Sequence, residues 1–182
     1  MKQRQVTPLT AEQNVSREEE GNEGVNAGEG DGGGRSEEKG SDARDMLPPE
    51  VERWRQQAAG TFWGLVGCEI ASLSERQAVV ALEIKPHHLN LIGIVHGGVY
   101  ATTIDSAMGL AAMMARPQEN VVTSGLNLNY LAPIGQGKMI VTATIAHQSR
   151  KTVTVQAQAL TENGELLALG TGSFRVIGPR FD

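Results

Sequence analysis

From residue 47 onward the apolar positions follow two different periods, and each change of period marks an element. Pro48-Pro49-Glu50 opens a short helix, since proline suits the first turn and a carboxylate there complements the helix dipole; it is expected to end near Gly60. VGCEIASLS (66–74) and RQAVVALEIK (76–85) are rich in Val, Ile and Leu and read as two strands joined by a tight turn. The loop PHHLNLIGIVHGG (86–98) then feeds VYATTIDSAMGLAAMMA (99–115), an almost continuously apolar helix that begins near Gly97 and stops before Arg116-Pro117. After it the period shortens. VVTSGLNLNYLA, GKMIVTATIAHQ, KTVTVQAQALT and LLALGTGSFRVI are four successive strands, separated by Pro133-Ile134-Gly135-Gln136-Gly137, by Ser149-Arg150 and by the hairpin signal Asn163-Gly164. This order predicts an α+β domain whose antiparallel β-sheet wraps one long central helix.

The first 46 residues carry none of this patterning. Ala11 to Asp45 has no aromatic, Leu, Ile or Met residue, is thick with Glu and Gly, and cannot bury enough apolar surface to offset chain entropy. Residues 1–46 are therefore expected to form a disordered acidic tail, with residues 47–182 as the folded domain. The tail holds 11 acidic against 4 basic side chains between Ala11 and Asp45, so the net charge of −5 arises there and the remainder is close to neutral. A near-neutral domain lacks the basic field of a nucleic-acid binder. One cysteine, Cys68, excludes an internal disulfide framework and suits a reducing compartment. No stretch is long and apolar enough to span a bilayer, and there is no apolar leader, so a cytoplasmic protein is expected.

Candidate chemistry centres on the long helix. Asp105 is the only charged residue between Val99 and Ala115, and burying an unpaired carboxylate costs several kcal/mol, so it is expected to be hydrogen-bonded, shifted in pKa or facing a site. On a helical projection Gly98, Thr102, Asp105, Ser106 and Gly109 fall within about 100° of one another, a small and polar stripe on an apolar cylinder. The helix starts at His96-Gly97-Gly98, where the backbone N–H groups of Gly97 and Gly98 offer an oxyanion site. Asp105 is suited to act as general base or nucleophile on the same carbonyl. Eight residues separate Gly97 from Asp105, roughly 12 Å along a helix. One helix cannot bring both to one carbonyl, so joint action requires a second copy whose helix runs antiparallel across a two-fold axis.

Asn90-x-x-Gly93-x-x-His96-Gly97-Gly98, then Asp105, then the strand into Asn129-Tyr130-Leu131-Ala132-Pro133 resemble the hotdog-fold acyl-CoA thioesterases, in particular the phenylacetyl-CoA thioesterase-like (PaaI-like) branch, over roughly residues 64–176. The resemblance implies six strands wrapped on the helix, and a homodimer joined edge to edge or a dimer-of-dimers tetramer. It implies that the Gly97 N–H polarises the thioester carbonyl and that His96 and Asn90 hold the loop and the thioester end. Asp105 of the opposing subunit would activate water or attack directly, and Thr123 supplies a hydroxyl to orient the water. CoA is then part of the substrate, and no separate cofactor is implied. Its phosphates need an anchor, for which Arg150 and Lys151 in the turn between two strands are the candidates.

Plainer readings stand beside these. His96 can be a loop histidine bonding backbone, Asn90 a turn former, Thr123 a residue of high β propensity with Ser124 as the one that matters, and Arg150-Lys151 a solvated turn. His87, His88, His96 and Asp105 lack the spacing of a metal site, and Gly170-x-Gly172 lies in a strand with no helix after it, unlike a nucleotide loop. The alternative function is a non-catalytic acyl-CoA-binding regulatory module. An apolar acyl pocket is expected between paired helices and the loop around Leu91, Ile92 and Ile94.

Overall fold

A computed structural model describes residues 49–179, with the side chains of Pro49 and Glu50 excepted. The tail expected over residues 1–46 lies outside the described residues. The chain forms α1 (Pro49–Ala58), α2 (Phe62–Val66), β1 (Cys68–Leu73), β2 (Gln77–Glu83), a 3₁₀ turn (Pro86–His88), α3 (Gly97–Ala115), β3 (Glu119–Tyr130), β4 (Lys138–Gln148), β5 (Thr152–Thr161) and β6 (Leu166–Pro179). The strands make one antiparallel sheet in the order β1-β2-β4-β5-β6-β3, which leaves β1 and β3 as its edges. This is the hotdog arrangement, a sheet curled around a single long helix.

Alternation in the central strands supplies the core. Met139, Val141, Ala143 and Ile145 of β4 and Val153, Val155, Ala157 and Ala159 of β5 all point inward, onto Ile104, Ala107, Met108 and Ala111 of α3. On β6 the packing is so close that a Cβ on Gly170 would stand 2.8 Å from Leu128 Cδ2 of β3 and 2.9 Å from Ile104 Cγ2 of α3, and one on Gly172 would meet Phe174 of β6 and Met108 of α3 at 3.0 and 3.1 Å. The Gly-x-Gly pair is therefore a seat for α3, which is why it recurs at the strand period of two. The sheet does not close around the helix completely. Thr102, Asp105, Ser106 and Gly109 remain half-buried while Thr103, Ile104, Ala107 and Met108 are buried, so the small polar stripe is the uncovered face.

Two short elements were not expected from the sequence. Residues 62–66 form a helix, and the loop after β2 contains the 3₁₀ turn together with an isolated bridge between Leu89 and Val95. His88 ties these together. Its ring is buried, Nδ1 accepts the Lys85 N–H at 3.0 Å, and Nε2–H donates to the Val66 carbonyl at 2.8 Å, a tautomer that the Lys85 donor assigns. Both nitrogens are thus committed to backbone.

Burial lowers the His88 pKa from the ordinary 6.5, against a smaller opposing effect of the bond to Val66. An unfolded chain then takes up a proton below about pH 6.5 that the folded chain resists, so stability is complete above that pH and falls below it. Chemical denaturation at a series of pH values is expected to show this decline, with a flatter curve for His88→Asn. An equally steep curve in the variant would remove His88 as its cause. Cys68 is also buried, its thiol pKa pushed up by burial, and its Sγ lies 3.9 Å from Thr103 Oγ1. It is a packing residue.

Candidate active site

The loop before α3 is closed by its own side chains. Asn90 Oδ1 accepts the N–H groups of Ile92 and Ile94 at 3.0 and 3.3 Å, and the Asn90 N–H returns to the Ile94 carbonyl at 2.8 Å. Gly93 supplies the left-handed residue this turn requires, with φ of 80°. The exit is pinned on both sides, since the Val95 N–H donates to the Ile134 carbonyl and the His96 N–H to the His88 carbonyl. Asn90 is thus the turn former of the plainer reading, and it also lines a cavity with Gly97.

His96 is the N-cap of α3. Its backbone is extended, and its Nδ1 accepts the Gly98 N–H at 2.9 Å. This corrects the expectation that both glycine amides are free for an oxyanion, because the Gly98 donor is consumed by the cap. The Gly97 N–H meets no acceptor among the described residues. Sequence reading assigned no role to Tyr130, yet its hydroxyl donates to the Gly97 carbonyl at 3.2 Å and its ring packs edge-on against Tyr100 with centroids 5.7 Å apart. Tyr100 in turn donates to the Ala132 carbonyl at 3.2 Å. The sequence signals were its place in the Asn129-Tyr130-Leu131-Ala132-Pro133 run and an aromatic with a polar tip at the end of a strand.

Asp105 lies about two turns further along α3, on the uncovered stripe. Thr123 Oγ1 donates to Asp105 Oδ1 at 2.9 Å. A bulge in β3 sets this contact: Thr123 pairs with Phe174 and Gly125 with Ser173, leaving Ser124 as the extra residue. Ser124 turns the other way and donates to the Ser173 carbonyl at 2.9 Å. Of the two hydroxyls, Thr123 is the one on the carboxylate.

The predicted residues gather in two places. Gly97 lines a cavity of about 420 Å³ with Asn90, Tyr100 and Tyr130, whereas Asp105 and Thr123 line another of about 390 Å³ with Trp63, Ser106 and Gly109. One chain therefore presents the amide and the carboxylate in separate concavities. Arg150 and Lys151 join neither. They are exposed in the β4–β5 turn, which is tied to the C-terminal end of α3 by bonds from Gln148 to the Ala115 carbonyl and from Arg116 to the Ser149 carbonyl. Leu91 and Ile92, expected in an acyl pocket, are instead fully or largely exposed at 106% and 79%, and only Ile94 lines a cavity. Among the described residues no cluster of three metal-ligating side chains occurs, and no helix is long and apolar enough to cross a membrane.

Comparison with known proteins identifies the family and the fold. The thioesterase superfamily profile matches residues 92–168. The acyl-coenzyme A thioesterase 13 of Mus musculus is 29% identical over 104 residues, covering 56% of this chain and 74% of that protein. A mutant of the phenylacetic acid degradation protein PaaI from Thermus thermophilus superimposes with a TM-score of 0.60 at 32% identity, over 64% of this chain and 98% of that one. The thioesterase HI1161 from Haemophilus influenzae shares the fold, with a TM-score of 0.67 at 23% identity over 70% and 90% of the two chains. The chain belongs to the thioesterase superfamily, a family of thioester hydrolases, and within it to the hotdog-fold PaaI-like branch.

Proposed function

We propose that this protein hydrolyses acyl-CoA thioesters to the free acid and CoA, at sites shared between two copies of the chain. The observation that carries this reading is the separation of Gly97 and Asp105 into two cavities of one chain, each holding half of what the reaction needs. The Gly97 N–H of one subunit polarises the thioester carbonyl. Asp105 of its partner, held by Thr123, activates water as general base or attacks the carbonyl carbon itself. His96 and Asn90 act through the loop: one caps the helix and the other closes the turn, so the donor is presented at a fixed place.

The β3 edge supports the second copy. It is 12 residues long and exposes Val122 and Leu126, the sort of edge that invites pairing with another chain. An antiparallel partner helix also carries its own C-terminal end, with Arg150 and Lys151, toward the side of Gly97, where the CoA phosphates need cations. Titrating released thiol against a panel of acyl-CoA thioesters tests the proposal. Stoichiometric thiol is expected. Binding without release would instead identify an acyl-CoA-binding module, and loss of an enoyl double bond without release a hydratase.

A further inference from the structure

We propose that α2, with Phe62 and Leu65 on its outward side, forms the wall that selects the acyl group. The inference rests on the thioester reading above and adds to it the place of the acyl chain. Two cavities lie against the first turn of α3, on different sides of it. One is the Gly97 and Tyr130 side already described. The other, about 740 Å³, is lined by Phe62, Leu65, Leu89 and Val99, with His96 and Gly98 at its end. The residues flanking the Gly97 donor on both sides thus belong to the wall of this second cavity. It also reaches Thr102, which shares the uncovered stripe with Asp105 one turn on, so it opens onto the face that carries the carboxylate. Its size and apolar lining suit a hydrocarbon or aryl group.

α2 is fixed in place although Phe62 and Leu65 are not covered. Phe62 is 63% and Leu65 75% exposed, yet the helix that bears them is held at three points. Gly64 packs so tightly on the end of α1 that a Cβ there would lie 2.5 Å from the Ala59 carbonyl oxygen. Gly67 closes the helix in a left-handed conformation, and His88 donates to the Val66 carbonyl. Trp63, on the same short helix, lines the Asp105 cavity. One five-residue element therefore lines both the Asp105 cavity and the cavity walled by His96 and Gly98, the neighbours of the carbonyl donor, with exposed apolar side chains facing the latter. On this proposal, the acyl carbons of a thioester whose carbonyl oxygen sits on the Gly97 N–H pass His96 and Gly98 into this cavity.

The test is steady-state thiol release by the full chain from straight-chain acyl-CoA substrates of increasing length, comparing wild type with Phe62→Ala and Leu65→Trp. Filling the cavity in Leu65→Trp is expected to move the optimum to shorter chains and to cost the longest good substrate about tenfold or more in kcat/KM relative to the shortest. Phe62→Ala, which removes wall area without adding bulk, is expected to flatten the length dependence, and it keeps the question answerable if the tryptophan disturbs folding. Length profiles that superimpose on wild type after scaling by a common factor would overturn the inference. The same outcome accompanied by dissociation in sedimentation would show that Phe62 and Leu65 face a second copy instead. A wild-type chain that releases no thiol from any acyl-CoA would defeat the thioester reading itself, a result distinct from unchanged profiles.

Discussion

Asp105→Asn is expected to stay folded in the same assembly as wild type and to hydrolyse acyl-CoA at least ~100-fold more slowly in kcat, the range lost when a general base or nucleophile is removed. The substitution isolates the chemistry because asparagine matches aspartate in shape and keeps an oxygen for the Thr123 hydroxyl, so the 2.9 Å contact has no reason to break. What disappears is the negative charge and the ability to take a proton or attack carbon. Circular dichroism and sedimentation would verify the fold, and thiol release the rate. Activity within about tenfold of wild type would leave Asp105 as an ordinary polar residue on a helix.

The second large effect is expected at Gly97→Pro, with a loss of roughly 10²–10³ in kcat, the value of one oxyanion donor. Proline at the first position of a helix is well tolerated, because the N–H it lacks has no partner within the helix and its fixed φ suits the turn. His96 before it already has φ −64° and ψ 138°, the extended conformation a following proline demands. A Cβ at position 97 meets Tyr130 at 3.5 Å, ordinary contact. The variant thus removes the donor hydrogen and sets the ring Cδ in its place, so the loss expected is that of the donor or more. Mixing it in equal amounts with Asp105→Asn and allowing subunits to exchange should restore roughly a quarter of wild-type activity, since half of the dimers are mixed and each mixed dimer holds one intact site. No recovery after verified exchange would place both groups in the same subunit.

Most of the fold was legible because its elements are long and periodic. The apolar run of α3 with the breaks at Gly97 and Arg116-Pro117, and the strict alternation of β4 and β5, leave little choice of structure. α2 was not legible: five residues including Gly64 are too few to show a period, and the helix depends on packing against α1 and on His88 from beyond β2. At the site, the Asp105 carboxylate announced itself as the one charge in an apolar helix. Its choice of Thr123 over Ser124 depends on a one-residue bulge that no spacing reveals. The exposed Leu91 and Ile92 show the converse limit, since apolar character says that a residue seeks cover without saying which surface provides it.

Two consecutive glycines are ordinarily the most mobile stretch a chain can contain. Here the peptide between them is gripped at both ends, its oxygen by the Tyr130 hydroxyl and its nitrogen by the His96 ring. The freedom that lets a substrate carbonyl approach without meeting a Cβ is thereby kept, while the freedom that would let the neighbouring Gly97 N–H wander is lost on folding. Orientation of that donor is settled before any substrate arrives, so the proposed mechanism needs little rearrangement during turnover. On that mechanism, the tyrosine at the end of β3 moves an entropic cost from each catalytic cycle to the single event of folding.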